Sequence, residues 1–209
     1  MGSPATEAGR KDDELQHEVV IEQRFWLGER PVTQRQYEAL MGANPSMFKG
    51  RNRPVENVSH DDALEYCRRL SKHIGRAARL PTEAEWEYAC RAGRRTPFNT
   101  GTGIRVDQAN FNSEVGSSDT GRFAPNAWGL YDMHGNVQEW CADWYGPYAG
   151  GTSTDPGGPT AGKSRVLRGG GWRHPPENLR SARRGQSPPK SRARDIGFRV
   201  LIETREDLR

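Results

Sequence analysis

The sequence predicts an α+β fold in which a few short regular elements are joined by much irregular loop structure. Three observations carry this. Three helix signatures, each with a capping residue in front, fall between residues 33 and 93. Helical signals stop after Gly93, and residues 94–163 are rich in Gly, Asn, Asp, Ser and Thr with aromatics interleaved. Short apolar runs with strand character lie towards both ends of the chain.

Residues 1–16 are polar and read as loop. From His17 to Leu27, the residues Val19, Val20, Ile21, Phe25 and Trp26 make a strand-like stretch. Thr33 with Gln36 forms a capping box and Gly42 a stop, so a helix is predicted over Gln34–Met41. Ser59 is the N-cap of a second helix, with Ala63, Leu64, Cys67, Leu70 and Ile74 at helical spacing and Gly75 as its end. Thr82 and Glu85 box a third, with Trp86, Ala89 and Cys90 facing inward and Gly93 as its stop. A stretch as long as 94–163 is too long for a simple connection, so it is either disordered or an ordered, functional loop region. Phe111, Phe123, Trp128, Tyr131, Trp140, Trp144 and Tyr145 argue for order, because each gains much by burial. Strands return at Ser164–Leu167 and Gly197–Ile202. The length of 209 residues suits one domain, 1–209.

Hydrophobic content is 33%, and Gly 24 with Pro 14 indicates many turns. The net charge of +4 is uneven: Lys163 to Arg199 holds eleven Lys or Arg against Glu177 and Asp195, and the rest of the chain sums to −5. The simplest reading of that segment is a solvated basic face. No nucleic-acid motif accompanies it, and no apolar run approaches membrane-spanning length. No leader is visible in the polar first twenty residues, which predicts a cytoplasmic protein, with secretion or surface display left open. Cys67, Cys90 and Cys141 form no CxxC and read as buried free thiols.

Several blocks share one order and spacing: Met1-Gly2-Ser3-Pro4, then Arg53 to Ser59, then Arg79 to Ala89. They continue with Pro125 to Met133, Gly135 to Trp140, Arg165 to Gly170 and Ile196 to Val200. In these blocks the chain resembles the formylglycine-generating-enzyme, or sulfatase-modifying-factor, family. The resemblance implies a C-type-lectin-like fold. The family carries a strand ahead of its Met-Gly-Ser block, so an open sheet edge is expected beside the C-terminal strand.

Enzymes of that family oxidise a substrate cysteine using copper held by two thiolates that follow the Gly-Gly block. Here that stretch runs from Gly169 to Arg180 without a cysteine, and His174 stands near the first thiol position. Copper is therefore not expected, and the reading leans away from an enzyme. A formylglycine-generating-like or non-haem-iron oxidoreductase with an altered metal site is the alternative. The resemblance also implies a calcium loop, with Asp132 and Glu139 binding through carboxylates and Gly135 and Val137 through backbone carbonyls.

Between the last two blocks the chain departs from the family. The segment 173–194, with Trp172 at its head, reads as a ligand-binding surface presented by a rigid scaffold. Its candidate contacts are Trp172, Arg173, His174, Pro175, Glu177, Arg184, Gln186, Ser187, Lys190, Arg192 and Arg194. This layout resembles the variable proteins of diversity-generating retroelements. It implies a protein or other macromolecular ligand, acidic in character, with neither membrane nor nucleic acid as partner.

Overall fold

The capping signatures produce three helices: α1 (Gln34–Met41), α2 (His60–Ile74) and α3 (Glu83–Arg91). Thr33, Ser59 and Thr82 each accept from the backbone of the third helical residue, whose side chain accepts in return from the cap N–H. Gly42 and Gly75 end α1 and α2 in the left-handed conformation. α3 ends one residue before the expected Gly93, with Ala92 taking the left-handed position at φ 45°. Leu64 also departs from expectation. It is exposed, and Tyr66 joins Ala63 and Cys67 on the buried face of α2.

This computed structural model describes residues 1–204; the last five residues of the predicted domain lie outside the described residues. The strand-like stretch 17–27 is broken into β1 (Glu18–Val20) and β2 (Phe25–Leu27). Then come β3 (Ala78–Arg79), β4 (Gln138–Trp144), β5 (Thr152–Thr154) and β6 (Arg165–Arg168). A 3-10 turn (Pro176–Leu179) precedes β7 (Gly185–Ser187), β8 (Ile196–Gly197) and β9 (Leu201–Glu203). The predicted strand Gly197–Ile202 is thus split between two sheets. One sheet has the order β7-β6-β4-β8, and another β2-β9-β3. The expected open edge beside the C-terminal strand is absent, because β2 and β3 flank β9 on both sides. β1 and β5 form a separate parallel pair.

The main core lies where α1 and α2 meet β4 and β8. Phe198 packs edge-on to Tyr66 and Tyr37, with centroids at 5.3 and 6.3 Å, over Val55, Val58, Trp140 and Leu167. A second cluster joins α3 to β4 and β6 through Trp86, Cys90, Met133, Cys141 and Val166. A third, of Phe98, Ala109, Phe111 and Leu179, anchors the long loop region. The three cysteines are buried and free, and burial pushes the Cys67 and Cys90 thiols up to about 12.

The basic segment is not simply a solvated face. Arg168, Arg180, Arg184 and Arg199 are buried, each against carboxylates. Arg180 reaches Glu14 at 2.7 Å and Glu7 at 2.6 Å. The predicted loop 1–16 is therefore irregular but tied to the scaffold, with Glu14 fully buried.

Two buried histidines set an acid limit. His134 donates from Nδ1 to Leu179 O and accepts the Asn99 N–H at Nε2; His60 lies 3.1 Å from Cys141 O. Burial holds both near 4. The unfolded chain takes up these protons near 6.5, so stability is lost as pH falls from 6.5 towards 4. Asp143 acts oppositely: burial and the charge of Glu83 raise it to about 7, a contribution present below pH 3.8 and lost as pH rises to about 7. His60 and His134 act in the same direction, so their joint contribution in urea titrations is expected to rise between pH 4 and 6.5, with the raised carboxyls Asp143, Asp132 and Glu56 opposing it. His134→Gln should flatten that rise by about 3 kcal/mol. An unchanged slope in the variant would show that His134 does not set it.

Candidate functional site

The segment after β6 leaves the sheet through Gly169 and Gly170, both at positive φ. Trp172 then turns inward. It is buried, meets Phe48 edge-on at 5.3 Å, and donates from Nε1 to Arg194 O at 3.1 Å. One indole thus ties the start of the segment to its end, and the Arg194 guanidinium lies over the same ring at 5.4 Å.

Between those ties the chain is irregular. Arg173, with 47% of its side chain exposed, donates to Asp195 Oδ2 at 2.8 Å. His174 accepts the Gly171 N–H at Nδ1, which places its proton on Nε2, 3.8 Å from Asp195 Oδ2. Burial, with Arg173 and Arg183 nearby, lowers the His174 pKa despite the pull of Asp195. Pro175 caps the 3-10 turn and Glu177 is exposed within it. β7 is an edge strand of its sheet among the described residues, with Gln186 exposed and Ser187 partly so. Lys190, Arg192 and Arg194 face solvent, and Arg192 pairs with Asp62 of α2.

Two of the predicted contact residues are placed elsewhere. Arg184 is buried, clamped to Glu83 at 2.7 and 2.8 Å and stacked over Tyr148 at 3.9 Å. It holds the scaffold because its guanidinium satisfies Glu83 and two backbone carbonyls at once. Trp172 is likewise an internal anchor and presents no face to a ligand.

Two residues outside the predicted segment, Gln138 and Asp195, join the site. Gln138 lines a recess of about 100 Å³ with His174, Asn178 and Arg183. Asp195 is fully buried beside it, and its Oδ1 has no hydrogen-bond partner. No local pattern marks these residues, since β4 and β8 bring Gln138 to Asp195 from 57 positions away. Cys90 Sγ lies 3.8 Å from His134 Nε2, and burial favours the neutral form of both.

In the loop expected to bind calcium, Glu139 accepts Arg199 Nε and Nη2, both at 2.7 Å, and the Trp86 indole N–H at 2.7 Å. A carboxylate has about four lone-pair sites, so roughly one remains. Asp132 accepts the Gly121 N–H at 2.7 Å, and burial with the charge of Glu139 raises its pKa. A hard cation would relieve that repulsion at Asp132, whereas the Arg199 guanidinium already neutralises Glu139. Among the described residues no three His, Cys, Asp or Glu side chains gather as a metal cluster, so a calcium site here would lean on backbone carbonyls. No helix among them is long and apolar enough to cross a membrane.

Known proteins share this architecture. The mouse formylglycine-generating enzyme is 34% identical over 207 residues, covering 90% of this chain and 53% of its own length. The chain thus spans about half of that relative. Among solved structures, Treponema denticola variable protein 1 superposes with a TM-score of 0.86 at 28% identity, over 98% of this chain and 94% of that one. PvdO from Pseudomonas aeruginosa gives 0.84 at 31% identity, over 98% and 90%. The sequence profile of the sulfatase-modifying factor enzyme 1-like domain matches residues 1–204, and with these blocks, this topology and that coverage the chain belongs to that family.

Proposed function

We propose that the chain is a non-enzymatic binding scaffold that holds an acidic protein partner on the surface formed by residues 173–194, as a variable protein of a diversity-generating retroelement would. One observation carries this reading. An irregular, basic, solvent-facing segment is locked at both ends by Trp172, while the strands around it are fixed by buried pairs. The exposed positions of this segment, Arg173, Glu177, Gln186, Lys190, Arg192 and Arg194, can change their side chains without disturbing the fold, while Leu179, Arg180 and Arg184 hold it from within. The recess at His174, about 100 Å³, is smaller than the roughly 300–1,000 Å³ of small-molecule sites, which favours a surface partner. The likeness to a variable protein at 28% identity supports the same reading.

Replacing Lys190, Arg192 and Arg194 together with alanine should weaken partner binding by about 2 kcal/mol or more, read by titration calorimetry, with the thermal melt little changed. Equal affinity in wild type and variant would remove the 173–194 surface from the proposal.

A second reading keeps His174 in an altered oxidase centre, favoured by the unpartnered Asp195 Oδ1 beside it. It requires copper or iron near one per purified chain and oxygen uptake with a thiol. A metal-poor, oxygen-inert preparation ends it.

For the loop from Asp132 to Glu139 we propose structural calcium, held by Asp132, Glu139 and the carbonyls of Gly135 and Val137. Free calcium at a hundred times its Kd would add about 2.7 kcal/mol. Chelator should lower the melting temperature by about 5–10 °C and calcium restore it; a melt insensitive to both excludes the site.

A further inference from the structure

A larger pocket, of about 800 Å³, opens between the start of α1 and the loop 113–122. Its lining holds Arg30, Arg35, Arg53 and Arg122 against one acid, Asp119. Two more lining residues, Ser117 and Ser118, are 2% and 9% exposed, and neither hydroxyl has a hydrogen-bond partner. Buried hydroxyls without partners are uncommon because each costs free energy to desolvate. Here two adjacent ones belong to the lining of a pocket that also holds four arginines.

The wall is held in place. Asn136 is fully buried; its Oδ1 accepts the Ser118 N–H at 2.9 Å and its Nδ2 donates to Ser118 O at 3.2 Å. Thr120 donates its N–H to Asn52 O at 2.9 Å. Arg30 donates to Thr120 O at 3.4 Å and lies over the Tyr131 ring at 4.7 Å. Gly121 permits that approach: it sits at φ +75°, and a Cβ there would come within 2.7 Å of Arg30 Cζ. The loop that carries the two serines and the Arg30 guanidinium are thus set before any ligand arrives.

Guanidinium forks and hydroxyl donors together suit tetrahedral oxyanions. The volume exceeds that of a bare ion and falls in the range of small-molecule sites. We propose that this pocket binds a small organic ester of phosphate or sulfate, with Arg35 and Arg122 pairing the anion and Ser117 and Ser118 donating to its oxygens. The proposal stands on this pocket alone and does not depend on the partner surface at 173–194.

Titration calorimetry of the full chain with inorganic phosphate, inorganic sulfate, glucose 6-phosphate, glucose 6-sulfate and glucose tests it. At least one ester is expected to bind more tightly than its bare anion, with no binding of glucose; which ester wins separates phosphate from sulfate. Arg35 and Arg122 are exposed, so Arg35→Ala/Arg122→Ala leaves the fold intact and should weaken ester binding at least about tenfold. Ser117→Ala/Ser118→Ala should also weaken it while the thermal melt holds or rises. No binding of either anion or ester at millimolar concentration overturns the proposal, as does ester affinity unchanged in the arginine pair.

Discussion

Arg168→Ala is expected to cost the domain about 3–5 kcal/mol, a large share of the stability of an ordinary fold. The Arg168 guanidinium is fully buried and meets Glu87 at 2.5 Å, Glu83 at 3.2 Å, Ser181 O at 2.6 Å and Ala182 O at 3.1 Å. It joins α3, β6 and the chain after the 3-10 turn. Without it Glu87, also fully buried, keeps Arg91 at 2.8 Å but loses its stronger neutraliser, and two carbonyls lose a donor. Arg168→Lys should not rescue, because one ammonium cannot reach four acceptors set around a planar fork. Urea unfolding decides it: a loss under about 1 kcal/mol would mean water replaces the guanidinium at little cost. A cycle with Glu87→Gln should show strong coupling, since each single change strands the other partner.

Gly135→Ala is expected to destabilise by about 2–5 kcal/mol, combining a left-handed backbone with overpacking. The residue sits at φ +84°, and an added Cβ would lie 2.4 Å from Asn110 O. That oxygen cannot easily retreat, because it accepts the Asn136 N–H at 2.8 Å, while Gly135 itself donates to Gly169 O at 2.8 Å. Gly129→Ala is the control. Gly129 has a similar φ of +79°, yet nothing lies within 4 Å of its Cβ position. It should cost only the conformational part, about 1–2 kcal/mol. Equal losses in the two variants would show that the Asn110 contact relaxes freely.

The helices could be read from the sequence because their causes are local: a cap, a reciprocal side chain and a glycine within a few positions. β4 could not. Gln138–Trp144 shows no clean alternation, and Glu139, expected only as a ligand in the calcium loop, is buried against Arg199 sixty positions away. The same reason limits the reading of the site. The segment after Trp172 was legible as a departure from the blocks around it. Which arginines face water was not, since Arg184 turns inward to meet Glu83, 101 positions earlier, and Arg173 does not. Ser117 and Ser118 carried no signal either, because an unpartnered hydroxyl becomes visible only when its surroundings are known.

The pairing of β2 with β9, and of Glu14 with Arg180, bears on how the chain reaches this state at all. A ribosome releases Phe25 to Leu27 long before Glu203 exists to pair with them, and Glu14 waits 166 residues for its guanidinium. Synthesis therefore leaves the early strand and acidic segment unsatisfied while the helices, whose contacts are local, form first. Closure of the longest loops is expected to come last, which predicts slow refolding, readable by stopped-flow fluorescence, because non-local pairing must be made before it is rewarded.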